Sequence, residues 1–483
     1  MVKKLKYLLI LILAFQGNIV FANEIVIGPY LQLPTKDSVL IKWHTEDLSP
    51  SIIEYTNDHE NFYTYEDSVL KKKHEILLPN LKPSTEYEYS IFEKDDNEFK
   101  SLENQIDQDG FKFHSFKDNS SELITWILGD PGVSGDPKMG KRIHKTQTKV
   151  KKAFFKYIEK NNIPSLDFII ALGDNAYSHG TYKEFKHGFF TPYAEVLSSY
   201  PVYSVFGNHD GGIDKEKMTY SARSYPKAHG IYYDLFSLPH NESYYSFNRG
   251  NTHFVFLDSF DSFWENFNGK NYEKVWTENS SERNSMLEWL EKDLKSHSET
   301  WTVVAFHHPP FGQTEHKDEK TQDIWKAWTN AYIAPILHKH NVDLVLMGHI
   351  HNYQRSYPVH LQREDLDRLS LKPKSKIKKH KEHFVRKYIK LLDKLNLPRY
   401  IPIATSNERI HYSKKDDPIY VIMGSSGAAF RDLPDEVDPS FFVREKKAGS
   451  TLLRITKDQI NLKFISSHGD ILDEFIIRAD TNP

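Results

Sequence analysis

The sequence predicts two modules in tandem, a β-sandwich of about ninety residues followed by a larger α/β domain. Three observations carry this. Short β-branched and aromatic runs punctuated by Pro, Asn, Asp and Lys fill residues 24–118. Apolar strand runs alternate with helical stripes across 122–478. Polar motifs recur where strand runs of the second module end.

In the first module the strand-like runs are 24–27, 39–44, 52–55, 75–78, 87–91 and 111–116. Trp43 falls mid-run as a core aromatic, and Leu81, Pro83, Thr85, Tyr87 and Tyr89 resemble the strand-entry corner of fibronectin type III domains, in which a Tyr hydroxyl caps the backbone upstream. In the second module the runs are 124–128, 168–172, 202–206, 254–257, 303–306 and 344–347. Between them Val150, Phe154 and Ile158, and again Leu287, Leu290 and Leu294, repeat at helical spacing and predict buried helix faces. Residues 360–417 read as a basic insertion with one amphipathic helix, marked by Phe384, Tyr388, Leu391, Leu392 and Leu395; a solvated charged face accounts for it without a partner.

Composition limits the partners. The 483 residues balance 63 basic against 66 acidic side chains, for a net charge of -3, so no overall field calls for nucleic acid or an anionic membrane. Lys3, Lys4 and Lys6 precede an apolar stretch over 7–15, with a small residue at Ala22, which predicts a cleaved signal peptide over 1–22 and a secreted or periplasmic protein with no membrane insertion after cleavage. There is no cysteine, so any metal must be held by Asp, Glu, His, Tyr or Asn.

Five motifs stand at strand-run ends: Gly129-Asp130-Pro131-Gly132, Gly173-Asp174-Asn175-Ala176-Tyr177, Gly207-Asn208-His209-Asp210, Val304-Ala305-Phe306-His307 and Gly348-His349-Ile350-His351. Any one of them is explained by turn chemistry or by a hydrogen-bonded core histidine. Together they are not. Ligands of open α/β sheets bind outside the carboxyl ends of the strands, so these carboxylates, phenol, amide and imidazoles should face one crevice. Burying such groups unpaired costs about 1–3 kcal/mol each, and a pair of cations removes the cost.

In order and spacing these motifs resemble the calcineurin-like metallophosphoesterases and, within them, the purple acid phosphatases. The general superfamily pattern has a His two residues after the first Asp, where this chain has Gly132; the purple acid phosphatases supply instead a Tyr three residues after the bridging Asp, where this chain has Tyr177. The resemblance implies a four-layer α/β/β/α catalytic domain over 122–478. It also implies a ferric ion on Asp130, Tyr177 and His351, a divalent Zn, Mn or Fe(II) on Asn208, His307 and His349, and Asp174 bridging the two. The hard phenolate and carboxylates suit the trivalent ion, and imidazole and amide the divalent one. The implied reaction is hydrolysis of a small phosphate monoester by metal-activated water. His209 is the first candidate for protonating the leaving group, with Asp210 orienting it, and His316 the second. Tyr353 is expected to support the ligands and His308 to be structural. A phosphodiesterase or nucleotidase with the same ligands is the closest alternative, and a non-catalytic adhesive protein the remote one.

Overall fold

The computed structural model describes residues 23–95, 98–102, 110–117, 122–133, 137–211, 213–214, 219–220, 231–260, 280–312, 326, 328–363, 400–406, 408–430, 432–433 and 438–479. The expected signal segment 1–22, His316 and the amphipathic stretch 384–395 lie outside these residues.

The N-terminal region is a six-stranded antiparallel sheet system in which Ile25–Gln32, Val39–Thr56, Glu86–Asp95 and Glu98–Ser101 run in order, with Tyr63–Leu78 added to the second strand and Phe111–His114 to the third. The separate runs expected at 39–44 and 52–55 are one strand of 18 residues, Val39–Thr56. Its register against Tyr63–Leu78 shifts between His44 and Ser51, so the polar Thr45–Ser49 stretch is absorbed as bulges instead of ending the strand. The first half pairs with Ile25–Gln32 and the second with Glu86–Asp95, so this one strand serves both neighbours. Alternation along it buries Ile41, Trp43 and Ile53 in a small core with Leu31, Ile76, Tyr87 and Phe113. The Tyr87 hydroxyl accepts the Lys82 amide at 2.8 Å, stapling the corner that leads into its strand.

The second region is built on two sheets. One has seven strands in the order His411–Ser413, Ile471–Arg478, Gln459–Ser466, Gly449–Thr456, Glu122–Leu128, Phe168–Ala171, Val202–Ser204, the last three parallel. The other has eight; its central strands Thr252–Phe256, Trp301–Phe306, Leu344–Met347 and Ile419–Met423 are parallel. Near-continuous apolar runs such as Phe168–Ala171 and Leu344–Met347 are fully buried because both sheet faces are covered. The sheets meet through Phe168 against Phe254 and Tyr203 against Phe247 and Phe256. Helix Pro137–Lys160 lies on the outer side of the first sheet, with Phe154 stacked on Trp126. Helix Ser280–Ser296 lies on the second, where Trp289 meets Tyr244 and Asp293 accepts from Ser246.

The insertion differs from the helical expectation at both ends. Residues 359–363 pair with 400–404 as an antiparallel ladder, and His411–Ser413 joins the edge of the seven-stranded sheet. Among the described residues no helix is long and apolar enough to cross a membrane. The two regions are joined by buried polar contacts: Tyr30 Oη donates to the Leu235 carbonyl (2.7 Å), Tyr89 Oη to that of Ser198 (2.9 Å), and His44 Nδ1 meets Tyr182 Oη (3.0 Å).

Candidate metal centre

Each sheet delivers its share of the site from the carboxyl ends of its parallel strands. Asp130 follows Glu122–Leu128, Asp174 and Tyr177 follow Phe168–Ala171, and Asn208 follows Val202–Ser204; from the other sheet come His307 after Trp301–Phe306 and His349 and His351 after Leu344–Met347. The turns are sharp enough that Asp130 (φ 49°), Asp174 (φ 54°) and His349 (φ 67°) take left-handed backbone, a conformation non-glycine residues adopt at a cost of about 1–3 kcal/mol. Glycines make room for the close approach: a Cβ on Gly207 would run into the Asp174 amide and carboxylate, and one on Gly424 into the Asp130 carboxylate and the Ile350 carbonyl.

All seven residues converge in two groups that share Asp174. In the first, Tyr177 Oη lies 3.0 Å from Asp130 Oδ1, 3.0 Å from Asp174 Oδ2 and 3.2 Å from His351 Nε2. In the second, Asn208 Oδ1 lies 3.1 Å from His307 Nε2 and 2.9 Å from His349 Nδ1, and His307 Nε2 lies 3.4 Å from Asp174 Oδ1. Backbone carbonyls set two of the rings: His307 Nδ1 donates to Leu172 (2.7 Å) and His351 Nδ1 to Ala429 (2.7 Å), which turns each neutral ring's Nε2 lone pair into the cluster. The Asp130, Asp174, His351 set and the His307, His308, His349 set each bring their ligand atoms within 4.8 Å of one another.

Proton bookkeeping tests whether cations fit. The first group places two carboxylate oxygens and an imidazole lone pair around one phenol, which has a single proton to give. The second turns an amide oxygen and a carboxylate oxygen toward His307 Nε2 and His349 Nδ1, so that without a cation the His307 ring must take a second proton to satisfy them. Asp130 and Asp174 are buried to 0% and 1% exposure, where water cannot make up the shortage. The donor set is therefore suited to positive ions. Without them, burial, followed by Asp130 and Asp174, pushes the Tyr177 phenol well above its ordinary range. Burial alone would lower the His307 imidazole, but Asp174 outweighs it and raises the group to about 9. Cations at this point would reverse the direction at the phenol, favouring phenolate.

The surrounding residues divide differently from the sequence expectation. His209 is half-buried at the rim, its ring 4.6 Å from that of Tyr177, with its amide on Asp174 Oδ1 (2.8 Å). Asp210 does not orient it, because consecutive side chains here point apart. The His209 ring donates from Nδ1 to the Ser178 carbonyl (2.8 Å), whereas Asp210 is fully buried and accepts from Gly207 N (3.0 Å), Asn175 N (2.8 Å), Asn175 Nδ2 (3.1 Å) and Ala176 N (3.3 Å). Asp210 thus fastens the turn carrying Asn208 to the turn carrying Asp174. Burial, with Asp174 adding to it, raises its carboxyl to about 8. Tyr353 donates to Asp473 Oδ2 (2.7 Å), which also binds Arg355, so its described contact ties the two sheets together. His308 is anchored at Nδ1 by Ser259 Oγ (2.9 Å).

Two supports escaped the sequence reading. Glu184 accepts from the amides of Ser178, His179 and Thr181 and so holds the loop whose Ser178 carbonyl orients His209. Its signal was present, since Thr181-Tyr182-Lys183-Glu184 is a capping box. The Gly424-Ser425-Ser426-Gly427 turn after Ile419–Met423 packs against Asp130 and Pro131, and glycines at a strand end were the available clue.

The calcineurin-like phosphoesterase family model matches residues 125–353, the span containing all seven residues. Over residues 125–353 the chain is therefore similar to the calcineurin-like phosphoesterases. Several of the relatives it matches are named as purple acid phosphatases. It is 26% identical over 318 residues to purple acid phosphatase 15 of Arabidopsis thaliana, covering 59% of this chain and 50% of that protein. It is 26% identical over 270 residues to a protein from the same plant named probable inactive purple acid phosphatase 9, covering 50% of this chain and 38% of that one. The chain thus spans half or less of the length of these two relatives. In structure it is similar to the purple acid phosphatase PPD1 of yellow lupin (Lupinus luteus) seeds, with a TM-score of 0.63 at 16% identity, covering 94% of this chain and 74% of that one. That likeness concerns the fold.

Proposed function

We propose that this chain is an exported phosphomonoesterase of the purple acid phosphatase kind, holding Fe(III) on Asp130, Tyr177 and His351, a divalent Zn, Mn or Fe(II) on Asn208, His307 and His349, and Asp174 between them. The observation that carries the reading is the double convergence on Asp174, with the Tyr177 phenol among buried carboxylates where the general superfamily pattern would have a histidine. Cations held there would neutralise phosphate oxygens and acidify a water for in-line attack.

The chain's own residues supply the rest. Leu172 and Ala429 fix the tautomers of His307 and His351, so that neither ring must reorient to bind. Asp210 holds the Asn208 and Asp174 turns in register. His209, with Nδ1 committed to Ser178, keeps Nε2 at the rim, where it can give a proton to a departing alkoxide. His316 stays a second candidate on its spacing from His307. The substrate is a small phosphorylated molecule, and the N-terminal strands read as a fibronectin type III-like sandwich on the strength of the Tyr87 corner.

Metal analysis, visible spectroscopy and a substrate panel test this together. The purified protein is expected to contain iron and to absorb in the visible through Tyr177, the band vanishing in Tyr177→Phe. It should hydrolyse nitrophenyl phosphate faster than its diester. A colourless, fully loaded and active enzyme would refute the iron assignment, and faster diester cleavage would move the reading to a phosphodiesterase.

A further inference from the structure

The geometry points to a third cation site, made by His338, His360 and Asp417, for a borderline divalent ion such as zinc. It is independent of the catalytic reading. His338 lies in the last turn of the helix Ala334–Lys339, His360 lies on the strand Tyr353–Arg363, and Asp417 precedes the strand Ile419–Met423. Ile419 pairs with Leu344 at the start of the parallel ladder, whereas Gly424, beside Asp130, follows its end. At about 3.3 Å per residue, the seven residues from Asp417 to Gly424 place the trio on the order of 20 Å from the catalytic cluster, at the opposite end of the sheet.

Three features favour a cation over an ion pair. His338 Nδ1 and His360 Nδ1 lie 3.8 and 3.7 Å from the same atom, Asp417 Oδ1. Both distances exceed a hydrogen bond, which runs to about 3.2 Å. They stand a few tenths of an ångström above the roughly 3.3 Å between ligands of a tetrahedral zinc with bonds near 2.0–2.1 Å. The two rings are nearly perpendicular (86°, centroids 6.4 Å apart), so they approach Asp417 from different directions instead of stacking. The His338 side chain is only 12% exposed, and its Nε2 is buried with no hydrogen-bond partner among the described residues, so neither ring nitrogen is committed to a hydrogen bond. His360, with its side chain 65% exposed, can close the remaining gap by rotation, and leaves the fourth position to water.

A rival trio, His253, His297 and Glu299, lacks this opening. Both ring nitrogens of His253 are already engaged, by Asn248 Oδ1 at 2.6 Å and Asp293 Oδ2 at 2.8 Å. Its companion ring, His297, stacks flat on it at 4.3 Å.

The third site has a structural consequence. His360 pairs with Ile403 at the root of the insertion, and Asp417 lies on the chain returning from it. A cation there would tie the outgoing and returning chains to the helix carrying His338, clamping the insertion to the sheet.

The test is calorimetric zinc titration of the full-length protein, with bound metal counted by plasma mass spectrometry, for the parent, His360→Ala and Asp417→Asn. Each variant is expected to bind one zinc fewer per chain and to show a smaller zinc-induced rise in melting temperature, with nitrophenyl phosphate hydrolysis unchanged. Parent-like stoichiometry in either variant overturns the site. So does a lost zinc accompanied by lost hydrolysis, because that ion then belongs to the catalytic pair. The exposure of His360 makes its replacement safe for folding.

Discussion

Replacing Asp210 by Ala should cost both stability and metal. The carboxylate accepts two well-formed backbone hydrogen bonds, from Asn175 N (2.8 Å) and Gly207 N (3.0 Å), besides Asn175 Nδ2 and the longer contact from Ala176. The side chain is 0% exposed, so in the variant the donors lose their acceptor where water does not reach. An unsatisfied buried donor costs about 1–3 kcal/mol, which for the two backbone amides gives about 2–6 kcal/mol. The second effect is positional: the turns holding Asp174 and Asn208 lose their tie, and loss of such support typically lowers metal affinity or activity about 10- to 100-fold. Urea denaturation of the metal-free protein measures the first effect, and metal titration with nitrophenyl phosphate turnover the second. Asp210→Asn, which keeps one acceptor oxygen, should fall between parent and Ala. A variant Asp210→Ala within about 0.5 kcal/mol of the parent, with unchanged metal affinity, would refute the claim that this carboxylate holds the two turns together.

Arg355 is 0% exposed and bidentate to Asp473 (2.6 and 2.8 Å), so Arg355→Leu strands a buried carboxylate; about 3–5 kcal/mol of stability should be lost in denaturant melts, and a loss under 1 kcal/mol would show the pair to be dispensable. Gly207→Ala drives a Cβ into the Asp174 amide, and metal titration should show weakened binding at the shared carboxylate; parent-like affinity would mean that the two turns separate easily. Burial lowers His74 from 6.5 to about 4. Between those values the unfolded imidazole binds a proton and the folded one does not, so its contribution to stability is present above pH 6.5 and fades as pH falls to about 4. Thermal melts across that window should steepen in the parent and flatten in His74→Gln; identical slopes would exclude His74 as the titrating group.

The strand-end residues were legible because strand runs such as 344–347 and the polar residues after them are local in sequence, and parallel sheets bring such ends together. Tyr177 was legible through its spacing from Asp174. The 18-residue strand was not, since Thr45-Glu46-Asp47 reads as a turn and only the pairing with two neighbours on either side of the bulge keeps it extended. Nor could sequence orient His307 and His351. Their partners are main-chain carbonyls of Leu172 and Ala429, which every residue carries alike. The Asp210 role was misread for a related reason: sequence adjacency suggested service to His209, but the side chains of consecutive residues diverge, and the buried one was claimed by amides on a neighbouring turn.

The left-handed backbone at Asp130, Asp174 and His349 narrows what evolution or a designer can place there. Only Gly, Asn, Asp and, less readily, His tolerate that conformation well. Substitutions are screened twice, by donor chemistry and by torsion angle, and a swap to Val or Ile would fail the second screen before the first applied. Asn is the gentle probe at the two aspartates, since it keeps the turn and removes only the charge.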